Sequence, residues 1–299
     1  MTFFEDFVFP DQPSACPQCA AETDPARPFC DRCKFDLRHG SLRDRRKGQC
    51  IYCERFDKLS EEHIFPKWIQ GVFPKRHRST THTLTRPENY GDLTSAPVHK
   101  AATTKRADPY DATVRNVCEA CNNGWMSQLQ TIARPFVESL ARGNVFVPSP
   151  DERTAIARWV VMTSINLQCY ARQLVATQAQ RTELMQGNMP SGWRVAMGSM
   201  AVTEFAGLSL SRSMLSPIQL GPEQYTPAQM SLFVIERALF QTFSTLFDRL
   251  LPHAIDYSGA GEQAIPMQPI WPLERKWDGA GYTLTRDDLA RIPGLLERA

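Results

Sequence analysis

No run of apolar residues in this sequence reaches the roughly 18 to 20 that a membrane-spanning helix needs, so we expect no membrane contact. A large net charge is also lacking. The 34 Lys and Arg against 32 Asp and Glu leave +2, which excludes a uniformly basic, histone-like chain and an acidic disordered one. Residues 1–7 carry an acidic pair where a signal peptide would carry positive charge. Together these absences predict a cytoplasmic, globular protein.

Cysteine is the informative residue type that is present, at nine positions. Cys169 stands alone, and its apolar neighbours predict a buried position in a helix. The other eight form the Cys-x-x-Cys pairs Cys16/Cys19, Cys30/Cys33, Cys50/Cys53 and Cys118/Cys121. Cytosolic thiols stay reduced, so this spacing favours metal binding over disulfides. One tight turn presents two thiolates to a tetrahedral zinc ion, and two such turns complete a site.

The first two pairs are separated by only ten residues and predict the two knuckles of a zinc ribbon within residues 1–40. Such a small module has too few apolar residues for a core, so zinc would supply its folding free energy. Redox chemistry of the Cys-Pro-x-Cys pair is the alternative. Four cysteines at this spacing favour the structural zinc site of Cys16, Cys19, Cys30 and Cys33.

The other two pairs are separated by 64 residues, and the intervening chain contains the motif LSEEHIFPKW at residues 59–68. The sequence VCEACNNGW follows at residues 117–125. The order Cys-x-x-Cys, acidic-His-Ile-x-Pro, Cys-x-x-Cys-Asn resembles the HNH endonucleases, also called His-Me finger or ββα-metal nucleases. The resemblance covers about residues 48–130.

This resemblance implies a catalytic site formed by His63, Glu62 and Asn122. His63 is the candidate general base, because a neutral imidazole can take a proton from water near pH 7. Glu62 and Asn122 would ligate one catalytic divalent cation, Mg²⁺ or Mn²⁺. The second structural zinc would be held by Cys50, Cys53, Cys118 and Cys121 and would clamp the two halves of the site together.

Two positions depart from the family pattern. The acidic ligand is usually Asp, so Glu61 is an alternative to Glu62, and a frequent Lys is replaced by Trp125. The middle Asn of the family is either Asn89 or Asn116.

Three further alternatives remain open. His63 is alternatively a core histidine held by a backbone carbonyl, and Asn122 alternatively caps the next helix. Three other histidines in the insertion are either extra ligands or polar loop residues: His77, His82 and His99.

Charge is distributed unevenly along the chain. Residues 27–106 contain 18 Lys and Arg against 9 Asp and Glu, a net +9, so the remainder carries −7. Two basic clusters are candidates for phosphate contacts, with a solvated linker as the alternative: Arg43, Arg45, Arg46 and Lys47, then Lys75, Arg76 and Arg78. Nucleic acid, and double-stranded DNA in particular, is the predicted partner.

After Trp125, apolar residues near helical spacing, Ile132 among them, predict a helix to about Leu140. Ser149-Pro-Asp-Glu152 predicts the start of a second helix that runs to about Ala171 and buries Tyr170. Strands with a turn near Glu236 and a short helix from about Arg286 follow.

The predicted fold class is α+β, with a zinc ribbon (1–40), a zinc-clamped ββα-metal HNH finger (41–147) and a mixed helix and strand C-terminal domain (148–299). That last domain has no assigned role and is a candidate for binding a protein partner or for homo-oligomerisation.

The expected function is a metal-dependent HNH endonuclease that hydrolyses phosphodiester bonds in DNA, in a process such as restriction or phage defence. The alternatives are a catalytically silent zinc module that binds nucleic acid or protein, and a nuclease directed at RNA.

Overall fold

A computed structural model of the chain describes residues 15, 22–23, 47–73, 79–87, 97–106, 108–144, 146–170, 174–201, 203, 206–207, 209–216, 226–245, 267–273 and 283–285. The predictions for the four ribbon cysteines and for a helix from about Arg286 lie outside these residues. An isolated antiparallel bridge joins Ala15 to Glu22, the described residues that flank the first Cys-x-x-Cys pair.

The described chain contains both strands and helices. The first half contains β1 (Lys47–Gln49), β2 (Phe56–His63), α1 (Trp68–Val72), β3 (Ser79–Pro87), β4 (Pro97–Arg106), β5 (Thr113–Cys118), α2 (Glu119–Cys121) and α3 (Ser127–Ala141). The second half contains α4 (Pro150–Tyr170), α5 (Gln178–Met185), β6 (Trp193–Met200), β7 (Ser209–Ser216), β8 (Thr226–Ile235), β9 (Ala238–Thr245), β10 (Gln268–Trp271) and β11 (Thr283–Leu284). The predicted mixture of helices and strands is confirmed. Across the described ranges, no helix combines the length and apolar character that crossing a membrane requires.

Residues 1–62 and 115–122 form one compact unit. Its three-stranded sheet has the order β1-β2-β5, and β1 pairs with β2 in an antiparallel hairpin. Leu59 is buried in this sheet, and a Cβ atom on Gly48 would lie 2.7 Å from Leu59 Cδ1. Glycine at position 48 therefore allows the backbone of β1 to approach the side chain of Leu59.

Residues 63–114 and 123–299 form the other compact unit. Its main sheet has the order β10-β6-β9-β8-β7, with β11 parallel to β6. Strands β8 and β9 form an antiparallel hairpin in which Ile235 lies opposite Ala238, so Glu236 and Arg237 form the turn. This confirms the two strands and the turn that the aromatic and β-branched residues predict. Strands β3 and β4 form a separate antiparallel pair.

Helix α4 is buried on all sides from Trp159 to Gln168. Trp159 makes edge-to-face contacts with Phe233 and Phe240, at ring-centroid distances of 6.0 and 5.6 Å. Thr242 on β9 donates a hydrogen bond of 3.0 Å from its hydroxyl to that of Ser164. A helix buried on all sides is a core element, although this one also buries polar residues such as Asn166 and Gln168. Each fully buried Phe that packs on it contributes about 1.5–3 kcal/mol.

The start of α4 agrees with its prediction. The Ser149 N–H donates to Glu152 Oε2 at 2.7 Å, and the Glu152 N–H donates to Ser149 Oγ at 3.4 Å. Pro150 is the first residue of the helix. These reciprocal bonds form the capping box that satisfies N–H groups left without intrahelical partners.

On α3, Ile132 is 55% exposed, and the core-facing stripe of the helix passes through Ala133 and Val137. Two burial predictions for α4 are wrong. Tyr170 and Cys169 lie in the last turn of α4, where the helix leaves the core, and both are only half-buried.

The expectation that the insertion histidines are loop residues also needs correction. His82 lies on β3 and His99 on β4, while His77 is outside the described residues.

Candidate functional site

Four cysteines from two distant segments meet in the first unit. The sulfur atoms of Cys50, Cys53, Cys118 and Cys121 all lie within 4.8 Å of one another, and Cys53 Sγ is 3.6 Å from Cys118 Sγ. A tetrahedral zinc ion with Zn–S bonds near 2.3 Å requires sulfurs about 3.8 Å apart, whereas a disulfide requires about 2.05 Å. All four are free thiols, so the cluster can hold a metal ion.

The first Cys-x-x-Cys turn is shaped by the backbone. The Cys50 N–H donates to the Arg55 carbonyl and the Glu54 N–H donates to the Cys50 carbonyl, each at 2.9 Å. Glu54 has a φ of 58°, a left-handed conformation that turns the chain back into β2. The Ile51 N–H donates to the Asn116 carbonyl at 2.9 Å, which ties this turn to β5.

The second turn begins where β5 ends. The sulfur of Cys118 accepts a hydrogen bond from the Cys121 N–H at 3.5 Å and so caps α2. Both turns are therefore held by hydrogen bonds of the protein itself, and the four thiols are brought together before any metal contact is considered.

Arg55 is the main electrostatic partner of the cluster. Burial raises the pKa of the Cys53 thiol, but hydrogen bonds from the Arg55 side chain and backbone, with contributions from Cys118 and Cys50, lower this pKa to about 7. Burial is the largest cause for Cys118, whose pKa is raised above its ordinary value. The hydrogen bond to Cys53 raises the pKa of Arg55 in turn. The Arg55 guanidinium therefore favours the thiolate form of Cys53.

The two neighbouring carboxylates of β2 have different surroundings. Glu61 is exposed and forms an ion pair and hydrogen bond with Arg115 on β5. Glu62 is only 4% exposed. Of the two candidate ligands, Glu62 is therefore the one enclosed within the unit, while Glu61 is engaged at its surface.

Asn122 is held against β2 by its side chain. Its Nδ2 donates to Ser60 Oγ at 3.0 Å, and Ser60 Oγ donates to the Val117 carbonyl at 3.0 Å. The carboxamide is thereby oriented with Oδ1 as its remaining acceptor, and this oxygen takes no hydrogen bond in the described part of the chain. Ser60 and Glu62 are two residues apart on one strand and so face the same side of the sheet. Asn122 and Glu62 therefore share that side.

Asn122 is the C-cap of α2 and not the N-cap of the following helix α3, whose N-cap is Met126. It has helical dihedral angles at the end of α2 and begins a π-helical turn, Asn122–Met126, that leads into α3. Gly124 departs from helical geometry within this turn. The amide of Asn122 bonds to the hydroxyl of Ser60 instead of to a backbone N–H.

His63 is the last residue of β2 and belongs to the second unit. It is half-buried, and its Nδ1 is buried without a hydrogen-bond partner in the described ranges. Among the described residues, no backbone carbonyl therefore accepts a hydrogen bond from this nitrogen. The following residue is fixed, because the Ile64 N–H donates to the Ala112 carbonyl at 3.0 Å.

The choice of middle Asn remains open. Asn89 lies outside the described residues. Asn116 is on β5, and neither atom of its buried side-chain amide finds a partner among the residues that the structure describes.

Only one residue of the predicted basic clusters is described. Lys47 is exposed on β1 opposite Lys58, which forms an ion pair of 2.6 Å with Glu119. The others lie outside the described residues: Arg43, Arg45, Arg46, Lys75, Arg76 and Arg78. Trp125, at the position of the frequent family Lys, is half-buried in the turn before α3.

Sequence reasoning missed two partners of the candidate residues, Arg55 and Ser60. Arg55 lies two residues after Cys53 and Ser60 two residues before Glu62, but only the folded structure shows which side chain each one contacts.

In comparisons with known proteins, no family model, curated protein or solved structure matches this chain.

Proposed function

We propose that this protein is a metal-dependent endonuclease of the HNH type that hydrolyses phosphodiester bonds in double-stranded DNA. The observation that carries the proposal is the hydrogen bond from Asn122 to Ser60, which holds the residue after the last cysteine beside the strand that contains Glu62. The four-cysteine cluster joins the turn that precedes β2 to the turn that directly precedes Asn122. The motif order and this arrangement together support the HNH interpretation.

Structural zinc and a catalytic cation have different donors in this proposal. The four thiolates suit zinc, whereas the Glu62 carboxylate and the Asn122 Oδ1 are oxygen donors of the kind that Mg²⁺ and Mn²⁺ prefer. Such a cation, held by these two residues, would neutralise charge on the phosphate and on the leaving oxygen. The ribbon cysteines would hold a second structural zinc.

His63 acts as the general base. Its imidazole takes a proton from water while the water oxygen forms a new bond to phosphorus and the bond from phosphorus to the leaving oxygen breaks. Glu62 and Asn122 supply the oxygen donors for the cation. The basic clusters contact the DNA backbone independently of sequence, so binding weakens as salt concentration rises.

Nicking of supercoiled plasmid at low salt with Mg²⁺ or Mn²⁺ tests the proposal. We expect wild type to cut, and His63→Ala to lose about 10²- to 10⁴-fold in rate, because a general base contributes that much. Zinc content and melting temperature should be unchanged. Added imidazole should restore part of the lost rate, since it can replace the missing base.

A matched pair of carboxylate variants serves as the control. Glu62→Gln should lose activity, whereas Glu61→Gln, which alters an exposed ion pair one residue away, should retain it. Equal cleavage by wild type and His63→Ala, or none by either on several DNA forms, would exclude the catalytic role and favour a silent binding module. Cleavage of structured RNA but not of DNA would assign the enzyme to RNA.

A further inference from the structure

The segment that follows His63 is clamped by Tyr110, which lies after β4. Phe65 packs edge-to-face on Tyr110 with ring centroids 5.5 Å apart and an interplanar angle of 77°. Ile64, between His63 and Phe65, is tied by its backbone to Ala112. Phe65 and Tyr110 are both almost fully buried. The direction in which the chain leaves His63 is therefore determined by the position of the Tyr110 ring.

The hydroxyl of Tyr110 is held in turn by Glu236, 126 residues further along the chain. It donates to Glu236 Oε1 at 3.2 Å and accepts from the Glu236 backbone N–H at 3.2 Å. Glu236 is 4% exposed and Tyr110 1% exposed. One buried hydroxyl thus makes two hydrogen bonds to a single residue, which fixes its position in two directions.

Glu236 occupies a backbone position that does not favour glutamate. Its φ is 52°, in the left-handed region where glycine and asparagine are preferred. The hairpin turn that contains it is anchored by Arg237, whose carbonyl accepts from the Met200 N–H at 2.7 Å and whose N–H donates to the Ala141 carbonyl at 3.3 Å. A glutamate at this turn accepts the conformational strain and supplies a carboxylate to Tyr110.

The β8–β9 hairpin also contacts the segment that follows His63 directly. Phe233 on β8 packs against Phe65 at a centroid distance of 6.0 Å. Phe65 therefore lies between Tyr110 and Phe233, and the β8–β9 hairpin reaches it both directly and through the Glu236 carboxylate.

We propose that Tyr110 and Glu236 are positioning residues for His63, and that the β8–β9 hairpin orients the imidazole through Tyr110 and Phe65. This inference rests on the proposed function, because it assigns His63 the role of base. It gives part of the C-terminal half a role in catalysis without contact with substrate. A small displacement of a general base is costly, since a misplacement of about 1 Å lowers rates by around 10²-fold.

Steady-state nicking kinetics on the full chain test this role. Tyr110→Phe keeps the ring against Phe65 but removes the hydroxyl, and Glu236→Gly removes the carboxylate while suiting the left-handed backbone. Both should lower kcat about 10-fold or more, with KM for plasmid and zinc content unchanged. The matched control is Ser164→Ala, which removes another buried hydrogen bond of the same unit, and its kcat should stay within about twofold of wild type.

A double-mutant cycle separates positioning from a general structural effect. In the His63→Ala background with added imidazole, Tyr110→Phe should cause no further loss, because there is no side chain left to position. A loss of equal size in both backgrounds, or full kcat in both Tyr110→Phe and Glu236→Gly, would overturn the positioning role. If His63→Ala alone cuts as fast as wild type, the proposed function fails instead.

A spectroscopic measurement tests the positioning role independently of cleavage. In a histidine-labelled sample, the imidazole ring signal assigned through its loss in His63→Ala should move in Tyr110→Phe and stay in place in Ser164→Ala. An unmoved signal in both Tyr110→Phe and Glu236→Gly would contradict the proposal even where no cleavage is measured.

Discussion

In the unit formed by residues 1–62 and 115–122, the buried apolar side chains of the described part are Tyr52, Leu59 and Val117, besides three cysteines. In the other unit, a single connected cluster contains five buried aromatic rings: Phe65, Tyr110, Trp159, Phe233 and Phe240. The described part of the first unit therefore has little apolar burial, whereas the second unit has a continuous core. The comparison leads us to expect that metal binding stabilises the first unit and apolar burial the second.

The largest expected effect is the loss of one ligand from the four-cysteine cluster. Cys118→Ser removes a buried sulfur that also caps α2, so zinc should fall from about two ions per chain to about one, since each tetrahedral site takes four thiolates. The first unit should unfold, because structural zinc supplies about 10–16 kcal/mol in small domains. Metal analysis together with limited proteolysis measures both effects.

Cys169→Ser is the matched control for that variant. This cysteine is half-buried at the end of α4 and outside the cluster, so zinc content should not change. Full zinc content and an intact fold in Cys118→Ser would show that the first unit does not depend on this metal site.

The second unit should instead lose stability when its aromatic core packing is removed. Trp159→Ala removes the ring between Phe233 and Phe240 and should lower the free energy of unfolding by about 3–5 kcal/mol, with the zinc content unchanged. Thermal unfolding followed together with metal content tests this. Ile132→Ala, at an exposed position on α3, should change stability by no more than about 0.5 kcal/mol. Zinc loss in Trp159→Ala at a temperature where the core is folded would argue against separate sources of stability.

Features set by neighbouring residues were predictable from the sequence. Each Cys-x-x-Cys pair forms one turn, and tetrahedral zinc requires two such turns, so the meeting of Cys53 and Cys118 follows in spite of the 64 residues between them. The start of α4 follows from Ser149 and Glu152, whose reciprocal hydrogen bonds span a single turn.

Features that depend on tertiary packing were not predictable. Apolar spacing identified α3 as a helix, but only the packed structure shows that Ile132 is exposed and that Ala133 faces the core. Tyr110 and Glu236 are 126 residues apart, and no local pattern connects them. The contact of Arg55 with Cys53 depends on the left-handed backbone of Glu54, which returns the chain into β2.

The smallest expected effect concerns Arg55, which lowers the pKa of Cys53 but is not itself a candidate metal ligand. Arg55→Ala removes the main hydrogen-bond donor that lowers the pKa of Cys53, so that pKa should rise and protons should compete better with zinc. The pH at which half of the zinc is lost should therefore move upward, and zinc affinity should fall by about 10- to 100-fold, as for other partners of metal ligands. Competition with a chromophoric chelator across a pH series measures both.

Arg115→Ala, which frees Glu61 at the surface of the same sheet, is the control and should leave zinc affinity unchanged. Equal affinities in all three proteins would mean that the thiolates alone determine metal binding, and that the first unit depends on the ion without help from its surrounding charges.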